Sequence, residues 1–152
     1  MNKSLLLIPL VLSVLSINIL GCSPGPDSTM GFSLPQGDAV EGEKVFMQYQ
    51  CLACHNLEGF DYETVNKEFE PPVLLGGTSS RIKTYADLVT SIINPSHKLS
   101  SKYPLPLIQE EGVSKMLMFN DVMTVTELVD LVTFLQPKYK VKPYEYTYYG
   151  PY

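Results

Sequence analysis

The sequence predicts a small all-α domain over residues 38–138. Three observations carry that expectation. Apolar residues recur at helical spacing in "DAVEGEKVFMQYQ" and again in "TVTELVDLVTFLQ". Two segments, at Thr84 and at Thr124, open on a threonine with a carboxylate three positions on, the pattern that caps a helix start. The connection from Asn56 to Lys83 has little regular pattern of its own.

Ahead of the domain, Asn2 and Lys3 precede a charge-free run, "SLLLIPLVLSVLSINIL", ending at Leu20. A positive end followed by an apolar core of this length reads as a secretory signal, with an uncleaved membrane anchor as the plain alternative. Residues 19–22, "ILGC", resemble the lipobox of bacterial lipoproteins: small Gly21 precedes Cys22, and a Pro/Gly/Ser tether, "SPGPDST", follows. Leu20 is bulkier than the residue often found there. That resemblance implies a signal peptide over 1–21, acylation of Cys22 and a flexible tether over 22–37. Each buried methylene of the acyl chains would add about 0.8 kcal/mol to membrane attachment. Ser23 stands where an Asp would resemble an inner-membrane retention signal, which points to the outer membrane.

The full chain has a net charge of −5, with 11 basic and 16 acidic residues, and loss of Lys3 with the signal makes it more acidic. That balance argues against nucleic-acid binding, which needs a basic patch, and permits a basic docking partner.

With Cys22 assigned to lipid, Cys51 and Cys54 remain, in "CLACH". In an oxidising envelope such a pair forms a disulfide or is attached to something. A thioredoxin-like motif needs a preceding strand and a parallel βαβ frame, and neither is legible. A zinc site needs four ligands, and the other histidine is His97. A c-type haem needs two thiols three residues apart for the vinyl groups and a histidine immediately after for the iron. The motif has these, so Cys51 and Cys54 are expected to carry haem c and His55 to ligate its iron.

The elements around the motif follow in order. Asp38 is a plausible cap for the first helix, and Gly42 lies four residues before Phe46, where a missing side chain lets another helix approach. A middle helix starts at Thr84 and ends before Asn94 and Pro95. A closing helix starts at Thr124, presents Leu128, Leu131, Val132 and Leu135 as one stripe, and stops at Pro137. Both terminal helices would also read simply as core.

A helix running into CxxCH, a closing helix, and "GVSKMLMF" before that helix resemble the class I cytochromes c, over about Asp38 to Lys138. The family's distal segment is often S-x-M-P-x-F. Ser114, Met116 and Phe119 match it, and Leu117 replaces the proline, which loosens the loop. The resemblance implies crossed N- and C-terminal helices with loops packed around one covalent haem, and Met116 as the second axial ligand. Met118, on the opposite side of an extended loop, and His97 are the alternatives. It also implies that the Pro72 carbonyl holds the haem histidine's Nδ1–H and that Arg81 meets a haem propionate, although Pro71 stands where the family commonly has Gly. A solvated loop arginine is the plain alternative for Arg81.

With His and Met on the iron, the resemblance implies one-electron transfer in a respiratory or inorganic-oxidation chain, between a redox donor and acceptor of the cell envelope, by a non-enzymatic carrier tethered in the periplasm. A haem subunit of a larger oxidoreductase and a pentacoordinate haem enzyme or sensor are the alternatives. The last segment, 139–152, holds six of the ten tyrosines, with Pro143 and Pro151 among them. It reads as an extended strap over the domain or as a docking strip for a redox partner.

Overall fold

The computed structural model describes residues 32–60 and 72–143. The chain divides into Met1–Ser33 and Leu34–Tyr152, and the account below concerns the second unit. The expected signal peptide, Cys22, most of the tether, Pro71 and the tail from residue 144 lie outside the described residues.

The first helix, α1, spans Ala39–Gln48. Asp38 caps it by accepting from the backbone N–H of Val40 (2.7 Å) and of Glu41 (3.3 Å). Gly42, Val45 and Phe46 form its buried face. The second helix, α2, spans Tyr85–Ile93 and opens on a capping box in which Thr84 and Asp87 satisfy each other's backbone N–H. It buries Leu88, Val89 and Ile92 and stops where Asn94 precedes Pro95. One turn, α3, covers Leu105–Ile108. The closing helix, α4, spans Val125–Leu135 from the Thr124–Glu127 capping box, and Pro137 follows in a 3₁₀ turn, Gln136–Lys138.

The core lies where α1, α2 and α4 meet, and α1 packs most extensively on α4. Gly42 is what lets the two backbones approach. A Cβ there would overlap the Asp130 carbonyl and come within 2.7 Å of Phe134 Cβ. Beside this contact the Asp38 N–H donates to Asp130 Oδ1 at 2.7 Å. Phe46, fully buried, packs against Phe60 and Phe134 with ring centroids 5.7 and 5.6 Å away. Tilted and edge-on geometry of this kind favours aromatic pairs beyond their buried area.

Among the described residues three two-stranded ladders accompany the helices, and the all-α expectation leaves them out. Strand β1, His55–Leu57, runs parallel to β2, Val73–Leu75, with His55 opposite Val73. Strand β3, Gly77–Ser79, runs parallel to β6, Tyr139–Val141, with Gly77 opposite Tyr139. Strands β4, Gln109–Glu110, and β5, Val113–Ser114, form a hairpin. Its two loop residues, Glu111 and Gly112, both have positive φ (49° and 85°), as a tight hairpin turn requires. Each ladder is two or three residues per strand, too short to show a period of two in the sequence.

Burial is unevenly shared. Between residues 72 and 84 no side chain is buried, and between 94 and 124 only Pro95 and Ile108 are. These segments carry exposed Leu74, Ile82, Leu105, Val113, Leu117 and Met118 instead.

Candidate functional site

The "CLACH" segment begins where α1 ends. Gln50 takes a left-handed conformation (φ 52°), which turns the chain out of the helix into a 3₁₀ turn at Cys51–Ala53. Leu52 and Ala53 are buried and anchor this turn in the core, while Cys51 and Cys54 are half-buried on it. The Cys54 N–H donates to the Cys51 carbonyl at 3.3 Å, so the two thiols sit one turn apart. The chain then enters β1 at His55.

Burial pushes the Cys51 thiol up to about 12. At neutral pH it is therefore a thiol, unlike the acidic, electropositive thiols of redox-active CxxC motifs. Among the described residues, no three His, Cys, Asp or Glu side chains converge on a point that could hold a metal by themselves. The zinc reading needs such a group.

His55 is held from the opposite strand. Its Nδ1 lies 3.2 Å from the Val73 carbonyl. A carbonyl can only accept, so the proton sits on Nδ1 and the lone pair on Nε2. Desolvation is the larger influence on the imidazole and lowers its pKa; the Val73 carbonyl opposes it. Desolvation thus favours the neutral imidazole, with one nitrogen held by Val73 and the other left as a donor, the form in which histidine binds metals.

The carbonyl at His55 belongs to Val73, one residue beyond the Pro72 to which the family resemblance pointed. Parallel pairing explains the difference. The Val73 N–H is bonded to the Cys54 carbonyl (2.9 Å), which sets Val73 opposite His55. The Pro72 carbonyl lies 3.4 Å from the Tyr103 hydroxyl, and that hydroxyl also accepts from the Leu74 N–H at 2.8 Å. Arg81 is exposed, and its backbone N–H is bonded to Ser79 Oγ.

Met116 is half-buried, and its N–H donates to Ser114 Oγ at 3.2 Å. Its neighbours differ: Leu117 is 64% and Met118 59% exposed. His97 is exposed, with Nδ1 2.8 Å from the Asn94 carbonyl of its own turn. The loop carrying Met116 is tied down on both sides. Ser114 N–H donates to Ser96 Oγ, and Asn120 Nδ2 to the Ile93 carbonyl at the end of α2. Tyr49, two residues before Cys51, meets the same loop: its ring packs edge-on against Phe119 at 5.3 Å, and its hydroxyl lies 3.0 Å from the Val122 carbonyl. That hydroxyl is also 3.2 Å from Glu127 Oε2 of the α4 cap.

Sequence reasoning missed Tyr49, Val73 and Tyr103. The signal for Tyr49 was its place just ahead of the motif; Val73 and Tyr103 depend on strand register and have none. Comparison with family models, with curated proteins and with solved structures finds no match to this chain.

Proposed function

We propose that this chain is an electron-transfer protein of the bacterial cell envelope, carrying one haem c on Cys51 and Cys54 with His55 and Met116 as axial ligands. The observation that carries the reading is the state of His55. Directly after two thiols spaced for a porphyrin's vinyl groups stands an imidazole whose Nδ1 is occupied by a backbone carbonyl, with desolvation favouring its neutral form. A second observation supports it. Segments 72–84 and 94–124 have almost no core of their own yet carry many exposed apolar side chains. A large apolar body would cover such side chains, and a porphyrin is one.

In this reading Cys51 and Cys54 provide the two thioether bonds, and the turn between them sets their spacing. His55 donates through Nε2, its ring orientation fixed by Val73. Met116 comes from a loop anchored to both α2 and α1, which holds a weak ligand in place without the family's proline. Haem supplies reversible one-electron chemistry when bound. Were His55 and Met116 both to hold the iron, no coordination site would be left for substrate, which favours relay over catalysis. Methionine's soft sulfur favours the ferrous state and a high potential. Cys22 would tether the domain to the membrane by lipid, facing a redox donor and acceptor in the periplasm.

The test is the spectrum of the native protein together with its pyridine haemochrome. Two thioethers and a thioether-to-ferric charge-transfer band are the expected result. An absence of haem that survives denaturing electrophoresis would overturn the reading.

A further inference from the structure

The first residues of the tyrosine-rich C-terminal segment have a defined place that the electron-transfer reading does not use. They pair with the segment that presents the carbonyl at His55. Residues 73–79 run in extended form except at Gly76 and Gly77, which both have positive φ (74° and 83°), and are held from two sides. On one side β2 pairs with β1, directly behind the two thiols. On the other, β3 pairs with β6, and the Lys142 N–H donates to the Ser79 carbonyl at 2.8 Å. Beyond β3, Gln136 Nε2 donates to the Lys83 carbonyl, which ties the chain ahead of α2 to the turn after α4.

The junction between the ladders is tight. Gly76 has φ 74°, and a Cβ there would lie 2.8 Å from the Lys138 carbonyl oxygen. Lys138 is itself fixed, its ammonium 4.8 Å from the Phe134 ring centroid and 5.7 Å from that of Phe60. Tyr139 packs against the main core. The C-terminal strand is thus anchored to α4 and the core, while residues 72–84 contribute no buried side chain. Segment 73–79 is held by its two strand partners, by the Tyr103 hydroxyl at the Leu74 N–H and by Leu75, which packs against the core from a half-buried position.

We propose that Tyr139–Val141 is a positioning strand for the iron-binding histidine: by pairing with Gly77–Ser79 it fixes the segment whose Val73 carbonyl orients and polarises His55. The inference rests on the haem reading of that histidine. A hydrogen bond from Nδ1–H to a carbonyl makes the imidazole a stronger donor and stabilises the ferric state. Loosening the strand should weaken that bond and raise the reduction potential.

The experiment uses the full-length, matured protein and three variants. Lys142→Pro removes one hydrogen bond of the ladder, and Gly76→Val disrupts its junction. Thr84→Ala is the control, destabilising α2 at a cap that touches neither ladder. Deuterium exchange at residues 73–79 and the reduction potential are measured together. The expected result is faster exchange and a higher potential in Lys142→Pro, a larger change in Gly76→Val, and an unshifted potential in Thr84→Ala despite its lower Tm. If Gly76→Val does not fold, Lys142→Pro alone decides. Faster exchange with an unchanged potential would overturn the positioning role and leave the haem reading intact, as would an equal shift in the control. Wild-type protein without covalent haem would overturn both.

Discussion

His55, Met116 and the two cysteines each have a distinct dependence on their surroundings, and single substitutions separate them. Cys51→Ala or Cys54→Ala should leave haem on one thioether or none and lower the yield of holoprotein. The double variant should lose all haem that survives denaturing electrophoresis, and retention there would sink the attachment. Met116→Ala should abolish the methionine charge-transfer band, lower the potential and open the iron to carbon monoxide. Met118, more than half exposed, should tolerate alanine with all three nearly unchanged. The reverse pattern would move the ligand two positions along the chain. An effect of His97→Ala alone would make the ligation bis-histidine at a much lower potential.

Helix ends are the elements with the clearest chemistry. Thr84→Ala should cost about 1 kcal/mol in urea unfolding, because it removes one half of a capping box. Acid should attack both boxes. The Asp87 and Glu127 carboxyls are held below their ordinary values chiefly by backbone hydrogen bonds to the caps, Thr84 and Thr124. A depressed folded-state pKa gives stability that is complete above the unfolded carboxyl value, about 4. It is lost as pH falls through the folded value. Urea midpoints for wild type should therefore drop between pH 5 and pH 3, and Glu127→Gln should flatten part of that slope. Gly42→Ala should destabilise by about 3 kcal/mol, since the Asp130 backbone leaves no room for a methyl group.

These same elements show what the sequence made legible. Asp38, Thr84 and Thr124 announce their helices because a cap and its partner lie within four residues. Gly42 could be read as a close approach because Phe46 follows at one helical turn. The motif at 51–55 was legible for the same reason, being local. Val73 was not: its place opposite His55 is a matter of strand register across a long connection, and a one-residue difference exchanges it with Pro72. The strand at 139–141 was hidden among tyrosines and prolines, whose composition suggests an extended strap without naming what it pairs with.

At the scale of the whole molecule, the proposed anchor at Cys22 and the proposed haem site at residues 51–55 are separate in the chain. Cys22→Ser should release the protein from the membrane fraction without altering its haem spectrum, because the turn at Cys51–Ala53 and the Val73 carbonyl at His55 lie far along the chain from Cys22. Unchanged membrane association on fractionation would replace the lipid by an uncleaved helix or a bound partner. The packing of α1 on α4 also orders events in time. The bond from Asp38 to Asp130 joins residues 92 positions apart, and α1 buries its inner face chiefly against a helix near the end of the domain. A chain made amino end first presents Cys51 and Cys54 well before the residues of α4 that pack on α1. In the proposed reading, haem would be attached to this open motif before α4 packs on α1 and closes it.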